Sequence, residues 1–462
     1  MRAALRLVAA ITLAAALQGL VPAPVAMAVR PPAIDDTMLP PAAKPEPPMP
    51  TEKQSDCNTA VFDRRLAGRP TQLAPFDLPA LRALTTGEGQ RVAVIDTGVS
   101  PHPQLPRLIP GGDYVSTGDG RDDCDAHGTF VAGILAATPD DDGFGGIASG
   151  VSVITIRQSS VKYRPVHGRP SGVGTVDTLA MAVRTAADLG ATVINISAVA
   201  CTVGTTLHDR ALGAAVAYAV DVKDAVIVVA AGNVGRGGNC PQQNPAPDPG
   251  RRPEPDWDTA DIVVSPGWYD DYVLTVGSVG PDGTPSSFTL AGPWVDVAAP
   301  GEAVVSLNPG VAGVANTYRS GSGSAISGTS YAAPVVSGVA ALIRARFPGM
   351  SARQVMQRIE ATAHRPPDGW NPYVGNGVVD PLAALSDGTP SAAPSWAQRP
   401  LLPRSPSPQP DTSGRTTAFK GVAGCAAFLA AALALMAPAS RAARRRQGRV
   451  PDRHEPLTPP PG

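Results

Sequence analysis

Apolar runs that show no alternation limit this chain most. Val92-Ala93-Val94-Ile95 and Ala225-Val226-Ile227-Val228-Val229-Ala230-Ala231 are rich in β-branched residues and carry no polar residue at every second position. A strand with one face in water alternates, whereas a strand apolar throughout is covered on both faces. Similar runs at 151–157, 192–197, 273–279 and 294–299 are interleaved with helical stretches near 127–137, 176–189, 207–221 and 330–347. That order implies an α/β fold, a mostly parallel central sheet with helices on both faces. Ligands in such folds bind at the carboxyl ends of the strands. Two of the runs end in functional groups, Asp96 before Thr97-Gly98 and Asn233 after Gly232.

Ile326-Ser327-Gly328-Thr329-Ser330-Tyr331-Ala332-Ala333-Pro334 places a hydroxyl where a glycine loop turns into an apolar helix. Gly328 permits the tight turn, the helix start favours developing negative charge, and Pro334 is expected within the first turn, where proline is tolerated. An isolated serine here is more often only a helix cap. In Asp123-Cys124-Asp125-Ala126-His127-Gly128-Thr129-Phe130-Val131-Ala132-Gly133 a histidine opens another apolar helix. Alone it reads as a packing or capping group. Taken with Asp96, the three residues are the parts of nucleophilic acyl transfer. Ser330 attacks, His127 takes and returns its proton, and Asp96 fixes the imidazole. Asn233, with the Ser330 N–H, is the candidate donor to the oxyanion.

The four segments Val94-Ile95-Asp96-Thr97-Gly98, His127-Gly128-Thr129-x-Val131-Ala132-Gly133, Ala231-Gly232-Asn233 and Gly328-Thr329-Ser330-x-Ala332-Ala333-Pro334 resemble subtilisin-type serine proteases, over roughly residues 85 to 385. The resemblance implies a subtilisin-like fold and a serine endopeptidase acting on protein or peptide substrates. Val193-Ile194-Asn195-Ile196-Ser197 falls where that family has its substrate-lining strand, and Val297-Ala298-Ala299-Pro300-Gly301 where it has a later core strand. Ser197 and Ala198, with Ala230, Ala231 and Gly232, are therefore candidate substrate contacts. Their small size permits a modest side chain at the scissile residue. Where the family often continues in a polar or glycine-rich turn, this chain has Ala198-Val199-Ala200-Cys201.

The chain ends set its location. A basic start, an apolar run from Leu7 to about Val21 and Ala26-Met27-Ala28 read as a secretory signal over 1–28. The alternative is an uncleaved anchor. Near the other end, within 419–440, an uncharged run from Gly421 to about Ala439 has roughly the length of a bilayer-spanning helix. Arg441, Arg444, Arg445 and Arg446 follow it and hold the 441–462 tail in the cytoplasm. A Pro/Ser-rich linker over 386–418 separates this span from a peptidase domain at 77–385. The protease is thus expected on the extracytoplasmic side of the cell membrane. The segment 29–76 is short for an inhibitory propeptide and reads as an extension wrapped on the domain.

Net charge is −1, which gives no reason to expect a nucleic-acid partner. Of five cysteines, Cys425 falls in the span, leaving Cys57, Cys124, Cys201 and Cys240 in an oxidising compartment. Three pairings are open. Cys57–Cys124 and Cys201–Cys240 are favoured, the first pinning the extension beside His127 and the second tying a strand end to the loop after Asn233. No Cys-x-x-Cys or His-Cys pair supports a metal site, Asp140-Asp141-Asp142 reads as a solvated turn, and neither metal nor cofactor is expected. His102, His167, His208, His364 and His454 read as surface or packing residues. Insertions at Ser159–Gly174 and from Gly235 to about Asp258 are too long for ordinary connections and read as functional loops or disordered flaps.

Signal, Pro-rich extension, Asp123-Cys124-Asp125-x-His127, Pro-rich tether and a single C-terminal span together resemble the mycosins, membrane proteases of type VII secretion systems. This implies limited cleavage of secreted proteins and association with subunits of the secretion membrane complex. Two other readings stand beside it, a mainly structural subunit of that complex and a broad-specificity anchored subtilase.

Overall fold

Seven strands form the central sheet: β1 (Arg91–Asp96), β2 (Leu108–Asp113), β3 (Ser152–Arg157), β4 (Val193–Ile196), β5 (Val226–Ala230), β6 (Leu274–Val279) and β7 (Val297–Pro300). Their spatial order is β7-β6-β5-β4-β1-β3-β2, and every pair is parallel. The computed structural model describes residues 29–388, except 67–70, 141–142, 168–171, 205–206, 236–237, 247–253 and 320–323. The expected signal, most of the linker, the spanning helix and the tail lie outside the described residues. Among the described residues, no helix is long and apolar enough to cross a membrane.

Covering helices explain the unalternated runs. Val92, Ala93, Val94 and Ile95 are all fully buried, as are Val226 to Val229. Helices α1 (His127–Ala136) and α4 (Thr329–Arg346) pack on each other and on the strands, while α2 (Val176–Asp188) and α3 (Arg210–Ala217) form a second packed pair against β1, β3 and β4. Helix α5 (Ala352–Thr362) backs α4. The start of α2 follows from sequence, since Thr175 and Thr178 form a reciprocal capping box. Helix α3 begins at Arg210, later than the expected 207; the residue before it, Asp209, gives the helix no side-chain cap, its carboxylate accepting instead from Trp268 Nε1 (2.8 Å) and Tyr269 Oη (2.9 Å).

Edge strand β2 was not legible because its register shifts at Pro110/Gly112 and its apolar pattern is broken. The 159–174 insertion also differs from expectation. Its described part includes a strand, Tyr163–Pro165, paired antiparallel with Thr51–Lys53 of the N-terminal segment. A second pairing joins Ala60–Val61 to Thr317–Tyr318, and a disulfide joins Cys57 to Cys124. The other disulfide joins Cys201 to Cys240. After β4 and three residues outside any strand, Ala200–Val203 forms a separate strand paired antiparallel with Ile262–Ser265.

Candidate active site

Asp96 is the last residue of β1, and Gly98 at φ +100° turns the chain away from the sheet. His127 is the first residue of α1, entered through Ala126 in the left-handed region at φ 68°. The entry loop is held from outside by the Cys57–Cys124 disulfide. Asn58 N–H also donates to the Cys124 carbonyl (2.9 Å) and Asn58 Nδ2 to the Asp125 carbonyl (2.9 Å). Gly128 lets α1 dock on β1, since a Cβ there would sit 2.0 Å from the Gly98 carbonyl oxygen. The docking brings His127 Nδ1 to 2.7 Å from Asp96 Oδ1. A carboxylate only accepts, so Nδ1 carries the proton and Nε2 keeps a free lone pair. Thr97 N–H donates to the same Oδ1 at 2.7 Å, while Oδ2 is buried without a partner.

Burial pulls the His127 pKa down. The charges of Asp96, Asp123 and Asp125 and the Asp96 hydrogen bond outweigh that and raise it above the ordinary 6.5. The Tyr331 ring packs against the imidazole at 5.1 Å between centroids.

Ser330 is the second residue of α4, and Gly328 occupies the cap position without a side-chain bond. The serine is therefore not a helix cap. Its hydroxyl donates to the Ser197 carbonyl at 3.0 Å and makes no hydrogen bond to His127. The Ser197 hydroxyl in turn accepts from Asn195 Nδ2 (2.9 Å) and donates to the Ser330 carbonyl (2.9 Å). Pro334 makes this last bond available. It lies at the sixth helical residue, past the first turn where it was expected, and it lacks the N–H that would otherwise claim the carbonyl four residues back. Asn195 Oδ1 accepts from Ser337 Oγ (2.9 Å), so a buried chain of side chains fixes the serine backbone to the end of β4.

Asn233 follows β5 after Gly232 at φ +94°. Its Oδ1 accepts from Thr329 N–H (3.0 Å) and Thr329 Oγ1 (3.1 Å), which orients the amide and leaves Nδ2 free to donate toward the Gly328-Thr329-Ser330 turn. A Cβ on Gly232 would lie 2.9 Å from Cys240 Sγ and 3.3 Å from Cys201 Sγ. The second disulfide thus rests on the residue before Asn233, and Cys240 N–H donates to the Asn233 carbonyl at 3.0 Å. Among the expected substrate contacts, Ala198 is half-buried, but Ala230 and Ala231 are 1% and 0% exposed. Those two side chains lie beneath the surface and present nothing to a ligand in this arrangement.

Sequence reasoning missed Thr329, Tyr331 and Asn195, which contact Asn233, His127 and Ser197 respectively. The signal for the first two was adjacency to Ser330; for Asn195 it was a polar residue inside a fully apolar strand. Of the remaining histidines, His102 is buried and hydrogen-bonded to the Gly313 carbonyl (3.2 Å), His364 pairs with Asp380 (3.1 Å), and His167 and His208 are exposed. His454 lies outside the described residues. Among the described residues, no cluster of His, Cys, Asp and Glu could hold a metal ion. A cavity of about 780 Å³ lined by Phe62, Leu73, Phe76, Arg82 and Val305 includes none of Asp96, His127, Asn233 and Ser330. A free imidazole Nε2, a primary hydroxyl at a helix start and an oriented amide N–H₂ beyond the carboxyl end of an interior strand can together support acyl transfer.

The profile of the subtilase family matches residues 87–377. Mycosin-4 of Mycobacterium tuberculosis (strain ATCC 25618 / H37Rv) is 58% identical, over 92% of this chain and 94% of its own length. Subtilisin DY of Bacillus licheniformis is 32% identical over 68% of this chain and 99% of its own. Among solved structures, MycP1 from the ESX-1 type VII secretion system superposes with a TM-score of 0.72 at 43% identity, covering 78% of this chain and 97% of that one. A chain in an intact ESX-5 inner membrane complex gives 0.73 at 40% identity, covering 88% and 100%.

Proposed function

Because this chain belongs to the subtilase family, in its mycosin branch, and is a subtilisin-type serine endopeptidase associated with secretion, we propose that Asp96, His127 and Ser330 form its reacting set. Ser330 Oγ attacks the scissile carbonyl carbon while His127 Nε2 accepts the hydroxyl proton. Asn233 Nδ2 and the Ser330 N–H donate to the oxyanion that forms. His127 then protonates the leaving amine, and a water molecule repeats the sequence to release the acyl half. Asp96 holds the imidazole in the tautomer this requires. The observation that carries the reading is the 2.7 Å His127–Asp96 bond, together with an Asn233 amide whose oxygen is held by Thr329 beside Ser330. In the resting arrangement the hydroxyl turns to Ser197 instead. Apo sites commonly hold such bonds open until substrate arrives.

The substrates we assign are secreted proteins of a type VII system. They are bound along the Ser197–Ala198 strand end and at the backbone of Gly232, with the side chains of Ala230 and Ala231 supporting from below. Residues 1–28 act as a cleaved signal, 419–440 as a single membrane span and 441–462 as a cytoplasmic tail. The peptidase domain, 77–385, then works on the extracytoplasmic side at the end of the 386–418 linker. The 29–76 segment stays attached, since its strand pairings and the Cys57–Cys124 bond tie it to the domain.

A second reading, a structural subunit of the secretion complex, is favoured by one observation. Chains 40–42% identical to this one occur in structures of the ESX-5 inner membrane complex and its periplasmic assembly. One experiment separates the two. A deletion strain is complemented with wild-type or Ser330→Ala protein, and secreted proteins are compared for amount and for truncated termini. Loss of truncation with secretion intact supports proteolysis plus a non-catalytic role. Unchanged termini would overturn the proteolytic reading and leave the structural one.

A further inference from the structure

Asp123 precedes His127 by four residues and has no place in the chemistry described above, yet it is only 7% exposed and beside the site. Both of its oxygens are used as acceptors. Oδ1 receives Thr97 Oγ1 at 2.8 Å, and Oδ2 receives Thr129 N–H at 2.8 Å and Thr129 Oγ1 at 2.6 Å. Thr97 Oγ1, having donated to Asp123, accepts Gly128 N–H at 3.0 Å. Thr97 follows Asp96, and Gly128 and Thr129 follow His127. A closed ring of hydrogen bonds therefore joins the segment carrying the carboxylate to the segment carrying the imidazole, and Asp123 is its hub. We propose that Asp123 is a positioning residue that sets the distance and angle between Asp96 and His127. The proposal deepens the reading of Asp96, His127 and Ser330 as the reacting set and rests on it.

Asparagine cannot replace Asp123 here. It would face three donors with one acceptor oxygen and turn an N–H₂ toward Thr97 or Thr129. The competing role is purely structural: Oδ2 meets the third N–H of α1 as a surrogate cap. Thr97→Val distinguishes the two roles. It leaves the Asp123 contacts to Thr129, and so the surrogate cap, in place and removes the two bonds that tie the Asp96 segment to the rest, Thr97 Oγ1 to Asp123 and Gly128 N–H to Thr97 Oγ1. The groups around Asp123 that carry or gain charge are Asp96, Asp125, His127, Tyr318 and Tyr331.

The test uses the full-length chain and a fluorophosphonate probe, which phosphonylates an activated serine with loss of fluoride. The second-order labelling rate is measured from pH 5 to 9 for wild type, Asp123→Asn, Thr97→Val and the double variant, with melting temperatures alongside. Asp96→Asn and Ser330→Ala run as controls. The expected result is a slowing of about 10–100-fold in both single variants. The double variant should be no slower than the worse single one, since both cut one ring. In Asp123→Asn the acid limb should move to lower pH, because the carboxylate charge that raises the His127 pKa is gone; burial pushes the Asp123 pKa up to about 7, so the move is partial. Thr97→Val labelling at the wild-type rate, or Asp123→Asn slowing only in proportion to lost stability with an unmoved limb, would overturn the proposal. If the Asp96→Asn and Ser330→Ala controls label normally, the reading of the reacting set has failed instead. Should Asp123→Asn not fold, the Thr97→Val rate alone decides.

Discussion

Gly128→Ala places one methyl group at the contact on which the His127–Asp96 geometry depends. The added Cβ would lie 2.0 Å from the Gly98 carbonyl oxygen and 3.1 Å from Asp96 Cβ, where ordinary contact begins at 3.4 Å. The obstructing atom is backbone at the end of a central strand, so the helix start must retreat by about 1.4 Å, an overpacking strain of about 1–3 kcal/mol. Carried along with the helix, His127 Nδ1 would leave its 2.7 Å position and pass beyond hydrogen-bond range of Asp96 Oδ1. Misplacement of a reacting group by about 1 Å costs on the order of 10²-fold in rate. The assay is turnover of a peptide anilide together with fluorophosphonate labelling, with circular dichroism to confirm folding. A fall of about 10²-fold in kcat with a melting temperature lower by only a few degrees is expected. A folded Gly128→Ala enzyme within threefold of wild type would refute the claim that this glycine sets the pair.

Asn233→Ala should lower kcat by about 10²–10³, the loss typical of removing one oxyanion donor, while Thr329→Val, which keeps the backbone half of the Asn233 anchor, should cost about tenfold. The reverse order would remove Thr329 from the orienting role. The acid limb of kcat/KM should lie above 6.5, because His127 is raised from that value and its protonated form cannot accept the serine proton; a limb below 6.5 counts against His127 as the base. Replacing Cys57 and Cys124 by serine opens a covalent loop spanning 67 residues and should cost about 4 kcal/mol in urea unfolding. Near-unchanged stability would mean the extension's strand pairings suffice. Glu360, half-buried near Asp270 and Asp296, is raised to about 7 by burial, and both aspartates are raised as well. A folded acid that holds its proton above its unfolded pKa makes stability fall as pH rises from about 4.5 to 7. Glu360→Gln should therefore raise the melting temperature at pH 8 and leave it unchanged or lower at pH 4. A lower value at pH 8 would refute the sign.

The sheet was legible because burial on both faces writes itself into a strand as unbroken Val, Ile and Ala. The ends of the observed strands β1, β3, β4, β5 and β6 fall within a residue of the runs at 91–96, 151–157, 192–197, 225–231 and 273–279. The residues with candidate roles were legible for the opposite reason. Asp96, His127, Asn233 and Ser330 are polar groups at the ends of apolar elements, where packing gives no cause to place them. Pairings between distant short strands were not legible. Nothing local in Thr51–Lys53 or Tyr163–Pro165 specifies the partner, since each contributes three residues of mixed polarity and the match is made only in three dimensions.

The least legible feature is the support beneath the site, and the reason is physical. Thr97, Asp123 and Thr129 act through hydrogen bonds whose partners lie 26 and 6 residues apart along the chain, and Ser197 holds Ser330 across a separation of 133. A polar side chain read in sequence signals exposure or a turn, yet each of these is buried or half-buried with its donors and acceptors used. Pro334 shows the same logic in reverse. Read locally it is a helix residue to be tolerated, and its use appears only when the Ser197 hydroxyl is found on the carbonyl it leaves open. Pro334→Ala makes that argument testable. The new N–H would compete with Ser197 for the Ser330 carbonyl, so the variant should gain helix stability while losing rate, and a variant gaining both would show that the Ser197 contact does not hold the serine in place.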